Sequence, residues 1–186
     1  MERPLIVAAA AAAALCAARP ARGQPYRDNL LLPAAQLYQR MLTYAGDKDY
    51  EKVSRSLQVA RPVVEALKVK FGGDPEGEIR EGLERKDLER VRRGLQRLVV
   101  LDMRDLMGLA LTADTAEKAS TKFRNAYQDY VLLTVSVQER DFTADQKIKN
   151  AFRRAVLNST HDQMQQARDE IEREVTRAFA DQGPRR

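Results

Sequence analysis

The sequence predicts an all-α fold, an antiparallel bundle of four to five helices that follows a cleaved signal peptide. Three observations lead there. Apolar residues recur in steps of three and four along five successive segments, which is the spacing of one helix face. The 9 glycines and 7 prolines fall mostly at the edges of those segments, whereas an all-β chain needs turns throughout. Leu5 to Ala18 is an uncharged, alanine-rich run behind Arg3, long enough for a secretory apolar region and too short for a stable bilayer span.

Ala21-Arg22-Gly23 supplies the small-x-small pattern of a signal peptidase site and places cleavage before Gln24. The alternative is a short anchor that is never cut. Cleavage divides the chain into a signal peptide (1–23), a helical domain (24–181) and a disordered polar tail (182–186), with the product periplasmic or secreted and no stable membrane span left. Arg3, Arg19, Arg22 and Glu2 leave with the peptide, so the net charge falls by two, from +5 to +3. Cys16, the only cysteine, leaves too, so the mature chain has no disulfide and no thiolate chemistry. Leu15, just before Cys16, is not the small residue a lipoprotein signal needs. With no Trp, 44% hydrophobic and 32% charged residues, the remainder suits an aliphatic core under heavily solvated outer faces.

The helices follow in order. Gln24 to Leu32 is an extended lead-in, and Pro33 takes a first helical position. Leu37, Tyr38, Met41, Leu42 and Ala45 share one face, with Gly46 as the stop and Asp47 or Asp49 as the next cap. Tyr50, Val53, Leu57, Ala60, Val64, Leu67 and Phe71 form a packing seam in the second helix, kinked at Pro62. The third spans roughly 76–111, with Gly82 as a place where a short first piece can separate. Its stretch from Leu98 to Met107 is apolar on nearly every side, which marks the centre of the bundle or a covered face. The fourth starts near Asp114 and carries Ala119, Phe123, Ala126, Tyr130, Leu133 and Val137. The last carries Ile148, Phe152 and Ala155, then Met164, Ala167, Ile171, Val175 and Ala178, with Asn158-Ser159-Thr160 as an interruption. Residues 48–58 recur as residues 86–96 with seven of eleven identical. Either a helical hairpin is duplicated or two helix starts share ordinary capping chemistry.

Most enzyme classes lack their parts. There is no phosphate loop, dinucleotide fingerprint or Gly-x-Ser-x-Gly elbow. The single histidine, His161, excludes a ferritin-type di-iron site, which needs two Glu-x-x-His motifs. A haem held by His161 and a methionine such as Met41 competes with His161 as a solvated helix start. Asp102 and Asp105 lie three apart inside the most apolar stretch, and a buried carboxylate must be paired or bind a cation. One reading pairs them with Arg97, Arg104 or an arginine of a neighbouring helix. The other makes them metal ligands together with Tyr127 or Tyr130 of the next helix, an oxygen-rich set that suits a hard cation. Lys86, Arg90, Arg93, Arg97 and Arg104 form a basic stripe, which is either a docking face for an acidic partner or anionic lipid headgroups, or a solvated face laced with Glu81, Glu84 and Glu89. An exported chain of such modest charge is a poor nucleic-acid binder.

Phe123-Arg124-Asn125-Ala126-Tyr127-Gln128-Asp129-Tyr130, followed by Val137, Asp141, Ile148 and Phe152, resembles the periplasmic helical region that accompanies bacterial oxidase-dependent iron permeases. The resemblance covers about thirty residues. The chain departs from it where Thr134 and Val135 stand near the expected glutamate, and it lacks the permease's transmembrane helices. The resemblance implies a soluble periplasmic accessory in metal handling and carries over no ligand. The sequence thus leads to a non-enzymatic exported adaptor whose partner is an envelope protein or another copy of itself. The alternative is a bundle that handles iron or haem.

Overall fold

The computed structural model describes residues 33–157 and 160–179. The signal peptide expected at 1–23, the lead-in up to Leu32 and the tail expected at 182–186 lie outside the described residues. Among those residues the fold is all-α, with no strand. Seven helices follow one another: α1 (Ala34–Gly46), α2 (Tyr50–Phe71), α3 (Pro75–Arg85), α4 (Leu88–Leu111), α5 (Ala116–Gln138), α6 (Phe142–Val156) and α7 (His161–Phe179). None is long and apolar enough to cross a membrane. The count exceeds five because two of the five periodic segments are broken. The third breaks at Lys86-Asp87 rather than at Gly82, and the last ends one helix at Val156 and begins another at His161.

The breaks have local causes. Lys86 takes a left-handed backbone conformation at φ 53°, and Asp87 then caps α4 by accepting the Arg90 N–H at 3.0 Å. The turn between α1 and α2 has the same construction. Lys48 is left-handed at φ 59°, and Asp49 accepts from the Lys52 N–H at 3.1 Å. Even the backbone bonds correspond. Lys48 N–H donates to the Ala45 carbonyl and Asp49 N–H to that of Tyr44, just as Lys86 donates to Leu83 and Asp87 to Gly82. These are two Schellman turns, each with lysine where glycine is usual. They fall at corresponding places in the two repeated segments. α1 ends at Gly46, as expected from sequence, but the left-handed residue that closes its turn is Lys48, two residues on. Pro33 is one residue outside the helix, because its ψ of 140° is extended. α5 begins near Asp114 as expected, with Thr115 as its cap.

The core follows the predicted faces. Val53, Leu57, Ala60, Val64 and Leu67 of α2 are buried, as are Ala119, Phe123, Ala126, Tyr130, Leu133 and Val137 of α5. Tyr50 is only half-buried and Phe71 is exposed. Pro62 lies on the exposed side of a helix that continues through it, so the carbonyl it deprives of a donor, that of Gln58, faces water. α4 is central, touching α1, α2, α3, α5 and α7. Side-chain contacts join α4 to α5, α5 to α6 and α6 to α7. Gln96 of α4 bonds Ser136 of α5, Ser120 of α5 bonds the Val156 carbonyl, and Lys147 and Arg154 of α6 meet Glu174 and Glu170 of α7.

α3 lies on α4 at backbone distance. A Cβ built on Gly94 would stand 2.6 Å from Ile79 Cγ1, 3.0 Å from the Ile79 nitrogen and 3.2 Å from the Pro75 carbonyl. Two of those neighbours are backbone, so the helices would have to part. Elsewhere on α4, a Cβ on Gly108 meets nothing within 4 Å. Gly94→Ala is expected to destabilise the fold by about 1–3 kcal/mol through overpacking, although alanine gains about 1 kcal/mol in helix propensity. Gly108→Ala, free of the clash, should stabilise by about 1 kcal/mol. Thermal melts of the two variants would test this, since the same substitution on the same helix must shift the midpoint in opposite directions.

Candidate functional site

Asp102 and Asp105 are buried in α4, 0% and 1% exposed. The sequence offered an arginine as the partner of Asp105, and the structure gives it a lysine of another helix. Asp105 Oδ1 accepts from Lys70 Nζ of α2 at 2.6 Å, a partner 35 residues away. The two tyrosines turn elsewhere. The Tyr130 hydroxyl donates to Asp145 Oδ1 of α6 at 2.7 Å, and Tyr127, 37% exposed, sets its ring edge-on to Phe152 with centroids 5.4 Å apart. Asp105 is thus drawn to α2, while Tyr127 and Tyr130 are drawn to α6. Among the described residues no group of three or more His, Cys, Asp or Glu gathers in a way that could hold a metal ion. His161 opens α7 on the exposed surface, and Met41 is fully buried in α1.

Sequence periodicity missed Asp145. It is completely buried, and its carboxylate accepts from Tyr130, from Gln138 Nε2 at 2.9 Å and from Lys149 Nζ at 2.8 Å. Burial alone would raise its pKa. The bonds from Lys149, Tyr130 and Gln138 outweigh burial and hold it below the usual carboxylate value of 3.8. Tyr130 is pushed well above the ordinary tyrosine value, by burial first and then by its bond to Asp145. The signal was present in the sequence. Asp145 stands three residues before Ile148 and seven before Phe152, in the apolar register of α6.

The basic stripe is spent largely on α3. Arg90 pairs with Glu81 at 2.7 Å, and Arg93 and Arg97 both reach Glu78, at 3.6 and 2.8 Å. Lys86 is exposed, and its carbonyl accepts from the Tyr50 hydroxyl at 3.0 Å, which ties the start of α2 to the α3–α4 turn. The stripe therefore works as an ionic seam between two helices, with Glu78 and Glu81 as its acidic side.

The outer face of α5 differs. Arg124, Gln128, Val131 and Val135 follow one another in steps of four, three and four, with Glu139 four residues on and Tyr127 at the edge. Val131 and Val135 are 51% and 65% exposed, and Phe142, at the start of α6, is 62% exposed. Arg124 and Glu139, exposed at the two ends of the row, have no ion-pair partner among the described residues. Elsewhere several long side chains form i,i+4 pairs, such as Arg61–Glu65 and Arg168–Glu172, and exposed apolar side chains occur on α2 as well, at Val59 and Val69. Comparison with protein families, with curated proteins and with solved structures finds no match to this chain.

The Asp145 cluster gives a pH prediction. A depressed carboxylate contributes stability that is full above its unfolded pKa and is lost as pH falls through the lower folded value. A raised tyrosine contributes stability that is full below about pH 10 and is lost as pH rises beyond it. Asp145→Asn should cost about 1–3 kcal/mol at neutral pH. It should also flatten the fall in melting temperature below pH 4. An acid limb as steep in the variant as in the parent would show that Asp145 is not the titrating group.

Proposed function

We propose that this chain is an exported, non-enzymatic adaptor of the bacterial envelope that works through the outer face of α5, and that a second copy of the chain is the partner fitted to that face. The uncovered row of Tyr127, Val131 and Val135, with Arg124 at one end and Glu139 at the other, carries this reading. The row is self-complementary. In an antiparallel pairing centred just after Val131, Val131 of each copy lies beside the two-fold axis, Val135 of each faces Gln128 of the other, and Arg124 of each faces Glu139 of the other. Desolvating the valines supplies the attraction, and the charge pairs fix orientation. Export is supported by Leu5–Ala18 and by Ala21-Arg22-Gly23. The cross-contacts between successive helices support an antiparallel bundle, in which α3 folds back on α4 and α6 on α7.

The metal- or haem-handling alternative, and with it the likeness to iron-permease accessory regions, draws on the burial of Asp102 and Asp105. Lys70 already supplies a cation at Asp105, and the Tyr130 hydroxyl is committed to Asp145, so the adaptor reading is preferred.

Two measurements test the proposal. Light scattering on the full chain, recovered after export, should find a dimer. Arg124→Glu and Glu139→Arg should each weaken the dimer about tenfold, and the two together should restore it. A monomer at every concentration, or a double variant no better than the singles, would overturn the pairing. N-terminal sequencing of the same material should begin at Gln24; a start at Met1 would remove the basis for export by cleavage.

A further inference from the structure

The last turn of α7 lies over α4 and the turn between α2 and α3, and these three elements enclose an open cavity of about 370 Å³. Its walls are apolar: Val100 and Leu101 from α4, and Val175 and Phe179 from α7. Phe179 is held from outside the cavity. The Arg140 guanidinium stands 5.3 Å from the ring centroid, and its Nη1 donates to the Ala178 carbonyl at 3.0 Å. That contact also neutralises a carbonyl at the negative end of α7. Gly72 and Gly73 form part of the rim, with no atom within 4 Å of where a Cβ would stand.

Two arginines one heptad apart on α4 line the cavity, and they differ. Arg97 is neutralised by Glu78 at 2.8 Å. Arg104 has no carboxylate within 4 Å among the described residues. Its Nη2 donates to Thr176 Oγ1 at 2.9 Å, and its Nε–H is buried without an acceptor. The acidic side chain in the lining, Asp74, is spent on Lys68 at 3.0 Å and on capping α3 through the Gly77 N–H. The cavity thus carries one uncompensated positive charge against an apolar wall. A guanidinium in that position loses hydration and gains no counter-ion, and its planar fork of donors matches a carboxylate. The volume lies at the small end of ligand sites, about 300–1,000 Å³, which suits a small molecule and not a folded partner.

We propose that this cavity binds a small anionic amphiphile, a carboxylate with a medium-length apolar tail. Its head group sits on Arg104 and its tail lies along Val100, Leu101 and Phe179. The site is separate from the α5 face and stands or falls independently of it.

Calorimetric titration of the full chain with octanoate tests this, with 1-octanol as the tail without the charge and acetate as the charge without the tail. Octanoate is expected to bind one per chain, with octanol and acetate at least about tenfold weaker. Arg104→Gln should weaken octanoate at least about tenfold with the melting temperature held. Arg173→Gln, an exposed charge on α7 outside the lining, should change nothing. Leu101→Trp fills the cavity with Arg104 intact, and should abolish octanoate binding even if the Arg104 variant proves unstable. Absence of octanoate binding, octanol binding as tightly as octanoate, or full affinity in the Leu101→Trp variant would each overturn the proposal.

Discussion

A helix whose stretch from Leu98 to Met107 is apolar on nearly every side cannot be left in water, and α4, of 24 residues, is such a helix. It carries eleven buried residues, from Val91 to Ala110, and takes five of the other six helices to cover them. The remaining architecture follows from that need. α3 reaches α4 by giving up side chains at Gly82 and Gly94, which lets the two backbones approach closely enough for Glu78 to reach Arg93 and Arg97. α5 covers a second side of α4, and α1 and α2 close a third. The cavity beside Arg104 lies between α4 and the turn of α7 that carries Val175, Thr176 and Phe179.

Buried carboxylates impose the second constraint. Asp105 and Asp145 both lie where solvent cannot reach, and each is met by a lysine whose own head group stays near water: Lys70 is 48% exposed and Lys149 31%. This arrangement lessens the cost of burying an ion pair, because only one partner surrenders its hydration. The two sites differ in what else holds the anion. Lys149 lies one turn from Asp145 on the same helix, and Tyr130 and Gln138 reach across from α5. The Asp145 cluster therefore fixes the angle between α5 and α6, and it accounts for Tyr130, which a metal-centred reading of the sequence would have turned toward α4.

Burial was largely legible in the sequence, because a three-four spacing of apolar residues needs only local information. The seams of α2, α5, α6 and α7 lie where periodicity puts them, and the unbroken apolarity from Leu98 to Met107 correctly marks the centre. What local spacing could not carry is any feature with a distant partner. Asp105 finds Lys70 of a different helix, and nothing near either residue announces it. Gly94 reads as a weak point in a helix until the closeness of Ile79 is known. Lys86 reads as one more charge in a basic stripe, and only its backbone shows that it is a turn residue. Asp145 was hidden differently: an aspartate in the first turn of a helix is so ordinary that its apolar register went unweighed. The cavity draws on three separate stretches of chain, so no single stretch could have signalled it.

The matched turns at Lys48 and Lys86 bear on how the chain assembles in time. Each closes a pair of helices that are neighbours in sequence, as do the connections from α4 to α7, so most contacts form between segments separated by a few residues. Chains with that topology search little and fold fast. The exceptions include α1, which also rests on α4 and α5, and α7, which also rests on α4. The entropy of closing such loops rises only logarithmically, about 0.6 kcal/mol per doubling of length. The seating of Tyr38 and Met41 is therefore among the contacts with the longest search, and it joins the first helix to a scaffold that neighbouring hairpins can already have built.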